Sequence, residues 1–139
     1  MGKKYDLSKP IKFPLSGKGR SKKANTDYEG MLSKQFYAAG IRGYRRNVQF
    51  IDGRKFEADF FFPKLKLVVE VDGGLWMARG GHTTGTGAIR DRERDMLAYL
   101  QDGIVTLRVA SDHVKSEEAI GWLKEAIAQR RKTLFGDTN

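Results

Sequence analysis

Two neighbouring segments carry acids inside otherwise apolar runs, Glu57-Ala58-Asp59-Phe60-Phe61-Phe62 and Leu67-Val68-Val69-Glu70-Val71-Asp72-Gly73. Aromatic and β-branched residues at this density, with a Pro63 turn between the runs, predict two extended strands joined antiparallel. Strand side chains alternate with period two, so Phe56, Ala58, Phe60 and Phe62 should share one face of the first strand, and Leu67, Val69 and Val71 the matching face of the second. The opposite face then holds Glu57, Asp59, Glu70 and Asp72. A helix can bury the apolar side, but a plain core has no use for the acids.

Flanking patterns extend this pair into an α/β domain. Thr26-Asp27-Tyr28-Glu29 fits a capping box, followed by Tyr28, Met31, Leu32, Phe36 and Ala39 at helical spacing until Gly40. Glu29 falls at the border of that apolar stripe and can look towards a sheet edge. Tyr44 to Phe50 reads as a strand, Ile51-Asp52-Gly53-Arg54 as a hairpin turn, Lys55 to Phe62 and Leu67 to Asp72 as the next two strands. Ala88 to Gln101 is predicted helical with Ile89, Met96, Leu97 and Leu100 inward, Ile104 to Val109 a fourth strand parallel to the third, and Ser116 to Lys132 a final helix. The expected fold is a mixed four-stranded sheet flanked by helices. Between the third strand and the next helix, residues 73–87 contain six glycines and no apolar periodicity, so they read as a long loop beginning beside the acids.

The formal net charge is +9 over 139 residues, of which residues 1–26 contribute +7. That segment reads as a basic, flexible arm for a polyanion, DNA or RNA first, or as a solubilising tail; residues 27–135 form the domain. The absence of cysteine excludes disulfides and thiolate sites. With no apolar run long enough to span a bilayer and no signal-type segment, a cytoplasmic location away from membranes is expected.

Carboxylates converging from adjacent strands suit a hard divalent cation. Mg²⁺ takes oxygen ligands and keeps several waters, so Asp59, Glu70 and the carbonyl of Val71 suffice as a set. The competing reading makes the acids ion pairs with Arg45, Lys55 or Arg90 on a solvated face. His82 in the glycine-rich loop can exchange protons near neutrality. Arg90 or Arg94 can grip a phosphate; alternatively, Arg90 with Arg94 and Asp91 with Asp95, each at i,i+4, form adjacent basic and acidic rows that neutralise each other at the surface. Trp76 can stack on a nucleic-acid base or plug the loop, while Trp122 reads as packing.

The order Glu29, Asp59, then Glu70-Val71-Asp72 resembles the PD-(D/E)XK, restriction-endonuclease-like nucleases. Gly53-Arg54-Lys55-Phe56-Glu57-Ala58-Asp59 and Val68-Val69-Glu70-Val71-Asp72-Gly73-Gly74-Leu75-Trp76 look most like very short patch repair endonucleases and small phage nucleases. The resemblance spans roughly residues 28–127. It implies a restriction-endonuclease-like core and a Mg²⁺-dependent DNA endonuclease, with Mn²⁺ able to substitute, acting on mismatched, nicked or branched DNA. Asp59 and Glu70 would be metal ligands, with Glu29, Asp72 and His82 catalytic. Ala58 stands where the family has proline, and Asp72 where most members carry lysine, so the usual lysine assisting the attacking water is missing. A four-way-junction resolvase of the same fold and a non-catalytic nucleic-acid-binding module are the alternatives. A homodimer is expected if two strands are to be cut.

Overall fold

The computed structural model describes residues 26–51, 53–73 and 85–136. The expectations for the arm up to residue 25, for Trp76 and for His82 lie outside the described residues. The elements run α1 (Tyr28–Ala38), β1 (Arg45–Gln49), β2 (Glu57–Phe62), a single 3₁₀ turn (Pro63–Leu65), β3 (Leu67–Asp72), α2 (Gly85–Asp102), β4 (Val105–Ala110), α3 (Ser111–Lys115) and α4 (Glu118–Phe135). The sheet is four-stranded and mixed in the order β1-β2-β3-β4, with antiparallel pairing except for parallel β3 and β4. Among the described residues no helix is long and apolar enough to cross a membrane.

The cap of α1 is Asp27 rather than Thr26. Its Oδ1 accepts from the N–H of Gly30 at 2.8 Å, and a Cβ on Gly30 would run into that same carboxylate. Three and seven residues after Glu29, Leu32 and Phe36 are fully buried. The ring of Phe36 meets Phe60 edge-on at 5.3 Å and Phe62 at 5.7 Å, while Ser33 and Tyr44 share a buried hydroxyl bond of 3.0 Å. These contacts lock the helix onto the sheet, and the helical repeat then turns Glu29 towards the end of β2.

Both faces of the sheet are covered. On one, Phe60, Phe62, Leu67, Val69 and Val109 pack with residues of α1, α3 and α4; on the other, Phe61, Val68, Ile104 and Ala98 of α2 form a second core. The acids therefore do not line an open face. The expected alternation of Phe56, Ala58, Phe60 and Phe62 breaks as well, since Phe56 and Ala58 join the second core. The break falls at Asp59. Arg46 pairs with Phe60 and Val48 with Ala58, which places Asn47 opposite Asp59, and Asn47 has a left-handed φ of 52°. A residue in that region inside a strand turns the side chains beyond it to the other face, and asparagine tolerates it better than most.

On α2 the sequence expectation holds for Leu97, which packs against the second core, and fails for the other three. Ile89, Met96 and Leu100 are exposed, at 68%, 58% and 69%, whereas Arg94 is buried and Ala98 fully so. Small Ala98 lets the helix approach Phe61 and Val68, and one turn earlier the same face presents Arg94 to the sheet. Periodicity counted apolar residues but had no way to register a buried arginine. Trp122, expected as packing, is half-exposed, its ring 4.9 Å from that of His113.

If Asn47 is what reorients the two strands, Asn47→Gly should be tolerated, whereas Asn47→Val should cost about 1–2 kcal/mol in urea unfolding because the left-handed backbone then opposes a β-branched side chain. Equal stability of the two variants would contradict this.

Candidate active site

The β2–β3 ladder pairs Phe60 with Val69 and goes no further towards the carboxyl end of β3. Beyond it, side chains replace the ladder. The N–H of Asp59 donates to Oε2 of Glu70 at 3.1 Å, and the N–H of Val71 donates to Oδ2 of Asp59 at 2.9 Å. Each carboxylate is thus held by backbone of the other's strand, at a fork between two strands. The bonds satisfy amides that the lost ladder would have left unpaired.

Glu29 completes the cluster from α1. Its carboxyl meets that of Asp59, a contact that favours the protonated form of Glu29 and the ionised form of Asp59. Burial, then the charge of Asp59, pushes Glu29 up to about 7 from 4.5. Glu70 is pushed up to about 7 by the same two causes, with Arg94 and the Asp59 N–H pulling the other way. Asp59 is raised too, chiefly by burial, against the bonds from Val71 and Glu29.

Arginines surround these acids. On the α1 side, Nη2 of Arg46 lies 3.8 Å from Glu29 while its guanidinium stacks 5.3 Å above the Phe60 ring. On the α2 side, Nη1 of Arg94 lies 3.9 Å from Oε1 of Glu70, too far for a hydrogen bond. Nε of Arg46 and Nη2 of Arg94 are buried and have no hydrogen-bond partner among the described residues.

Asp72 is turned elsewhere. Its Oδ1 accepts from Nη1 of Arg108 at 3.3 Å, and Nη2 of Arg108 binds both oxygens of Asp95, at 3.3 and 3.1 Å. Arg108 is held charged, because Asp95 and Asp72 outweigh the burial that works against its charge. The acids of the cluster pair with arginines that the sequence reading did not name as their partners: Glu29 with Arg46, Glu70 with Arg94 and Asp72 with Arg108. The structure therefore brings together Glu29, Asp59, Glu70 and the backbone of Val71, with Asp72 one ion pair away. Glu57, at the start of β2, is exposed. Sequence reasoning did not single out Arg46 or Arg108. The only signal for Arg108 was a charged residue inside the apolar strand Val105–Ala110.

The donor set suits a hard divalent cation in chemistry, being all oxygen and clustered. Among the described residues, however, no group of three or more His, Cys, Asp or Glu is spaced to hold a metal ion. The pair Asp59 and Glu70 is what the fork offers, with Val71 beside it. Comparison of the chain with protein-family models, with curated proteins and with solved structures finds no match.

Carboxyls raised on folding keep protons that the unfolded chain has lost, so stability is greatest at acid pH and falls as pH rises through the window from 4.5 to about 7. In EDTA the melting temperature should decline across that interval, and Mg²⁺ should restore it at pH 8 by neutralising the ionised acids. A melting temperature that rises with pH in EDTA would contradict the geometry.

Proposed function

We propose that this protein is a metal-dependent DNA endonuclease with a restriction-endonuclease-like core, hydrolysing phosphodiester bonds at the β2–β3 fork. The observation that carries the reading is the reciprocal bridge between Asp59 and the Glu70-Val71 segment, which holds two carboxylates side by side in partly buried surroundings. Keeping mutually repelling acids there costs stability, and a bound cation removes the cost. Asp59, Glu70 and the carbonyl of Val71 would hold Mg²⁺, or Mn²⁺ in its place, which supplies charge to the phosphoryl oxygens and lowers the pKa of the attacking water.

The remaining chemistry falls to the chain. Hydrolysis forms one P–O bond to water, breaks one P–O ester bond, removes a proton from the water and returns one to the leaving oxygen. Glu29, beside Asp59 and ionised once a cation offsets the charge of the cluster, can accept the first of these protons. His82 is the second candidate for proton transfer. The basic arm contributes affinity for the DNA backbone, and an enzyme without cysteine suits the cytoplasm. Cutting both strands of a duplex calls for a homodimer by two-fold symmetry; a preference for four-way junctions in the same assays would make it a resolvase of this fold. Arg94 beside Glu70 favours a second reading, a nucleic-acid-binding module whose acids are already neutralised by a side chain.

Incubation with linear, mismatched, single-stranded and four-way-junction DNA in Mg²⁺ or EDTA decides between them. Cleavage should require the metal and fall to background in Asp59→Asn, while that variant keeps DNA affinity and melts higher than wild type in EDTA at pH 8. Binding without cleavage on all four substrates would leave the binding module. Deleting residues 1–24 should weaken binding and flatten its salt dependence, since fewer counterions are released; an unchanged salt slope would contradict the role given to the arm.

A further inference from the structure

Taking the nuclease reading as its basis, we propose that Arg94 is the group that engages the scissile phosphate, and that Asp72, acting through Arg108 and Asp95, holds it in place. Arg94 carries an unsatisfied donor among the described residues. Arg94 is only 6% exposed, yet its Nη2 has no hydrogen-bond partner among the described residues. A buried guanidinium nitrogen without an acceptor is costly, and native proteins rarely leave one unless something completes it. Its Nε bonds Oδ1 of Asp95 at 3.3 Å, and its Nη1 is drawn towards Glu70 across 3.9 Å without a hydrogen bond. One corner of the fork is therefore held while the Nη1 and Nη2 edge keeps its donors. That edge matches two oxygens of a phosphate.

Position supports the assignment. A phosphate at the Asp59–Glu70 fork meets two carboxylates that repel it, and Arg94 is the buried cation on the Glu70 side. It comes from α2, so a cation reaches the site although the third position of the acid-x-acid run is Asp72. That acid has its own task. Asp72 binds Arg108, Arg108 binds both oxygens of Asp95, and Asp95 binds Nε of Arg94, an alternating series from β3 through β4 to α2. Parallel pairing of Glu70 with Arg108 and of Asp72 with Ala110 fixes the register that makes the series possible. In this arrangement Asp72 is a positioning residue, while Arg94 touches substrate.

The test uses the full chain and the DNA substrate that the wild type cuts, with Mn²⁺ binding measured separately by calorimetry without DNA. Arg94→Met should lower kcat about 100-fold or more with KM for DNA near wild type, as expected for a donor used in the transition state. Its Mn²⁺ affinity should hold or rise, because a cation beside Glu70 is gone. Arg94→Lys should recover part of the rate. Asp72→Asn should lower kcat by roughly 10-fold in the wild-type background and by nothing further in Arg94→Met, since it acts through the same group. Wild-type rates in Arg94→Met, or a rate loss matched by weakened Mn²⁺ binding, would overturn the role of Arg94. Additive losses in the double variant would overturn the role of Asp72. A wild type that cuts none of the substrates would overturn the nuclease reading itself, and this inference with it.

Discussion

The reciprocal bridge at the β2–β3 fork, Asp59 N–H to Glu70 and Val71 N–H to Asp59, is the interaction on which the rest of the site depends. It does two things at once. It closes the end of a ladder that stops at Phe60 and Val69, and it fixes two carboxylates at a separation that their charges oppose. Everything around the bridge manages that opposition. Glu29 sits beside Asp59 with its carboxyl raised, Arg94 approaches Glu70, and the second oxygen layer of Asp72 and Asp95 is neutralised by Arg108. A cluster of this kind is stable at neutral pH only through protons or cations, and the proposed function draws on both.

Two packing features deliver the parts. Phe36, wedged between Phe60 and Phe62, carries Glu29 to the end of β2, and Ala98, seated with Phe61 and Val68, carries Arg94 to the end of β3. The apolar cores are therefore also the positioning device. Each places a charged residue one or two helical turns from its most buried member, so the geometry of the site follows from helix repeat and sheet packing together. Asn47, left-handed opposite Asp59, sits where the side chains of β1 and β2 change from one core to the other.

Much of this was legible in the sequence. The order of the sheet, the antiparallel and parallel pairings and the principal helices follow from period and turn signals, and the acids stood out because they interrupt apolar runs. Boundaries and small elements were not: α3 was unforeseen, and α2 begins at Gly85 rather than the expected Ala88, a start that glycines in a loop-like composition do not reveal. The failures at Ala58 and on α2 have a common origin. Period arguments assume unbroken alternation and an apolar interior; the first fails on β2 at Asp59, opposite the left-handed Asn47 of β1, and the second on α2, where Arg94 is buried. Those are the places where the candidate site lies, as expected when local rules are broken for chemistry. The ion pairs of Arg46, Arg94 and Arg108 join residues distant in sequence, and no local pattern announces them.

The central claim is that Glu29, Asp59 and Glu70 form one coupled carboxyl cluster, which in the proposed function a divalent cation would neutralise. Carbon-detected NMR titration of the side-chain carboxyls, in EDTA and again in saturating Mg²⁺, addresses it directly. The account predicts that Glu29 and Glu70 titrate near 7 without the metal, well above 4.5, and that Mg²⁺ drives both transitions down. Ordinary carboxylate titration of both residues in EDTA, unmoved by Mg²⁺, would contradict it.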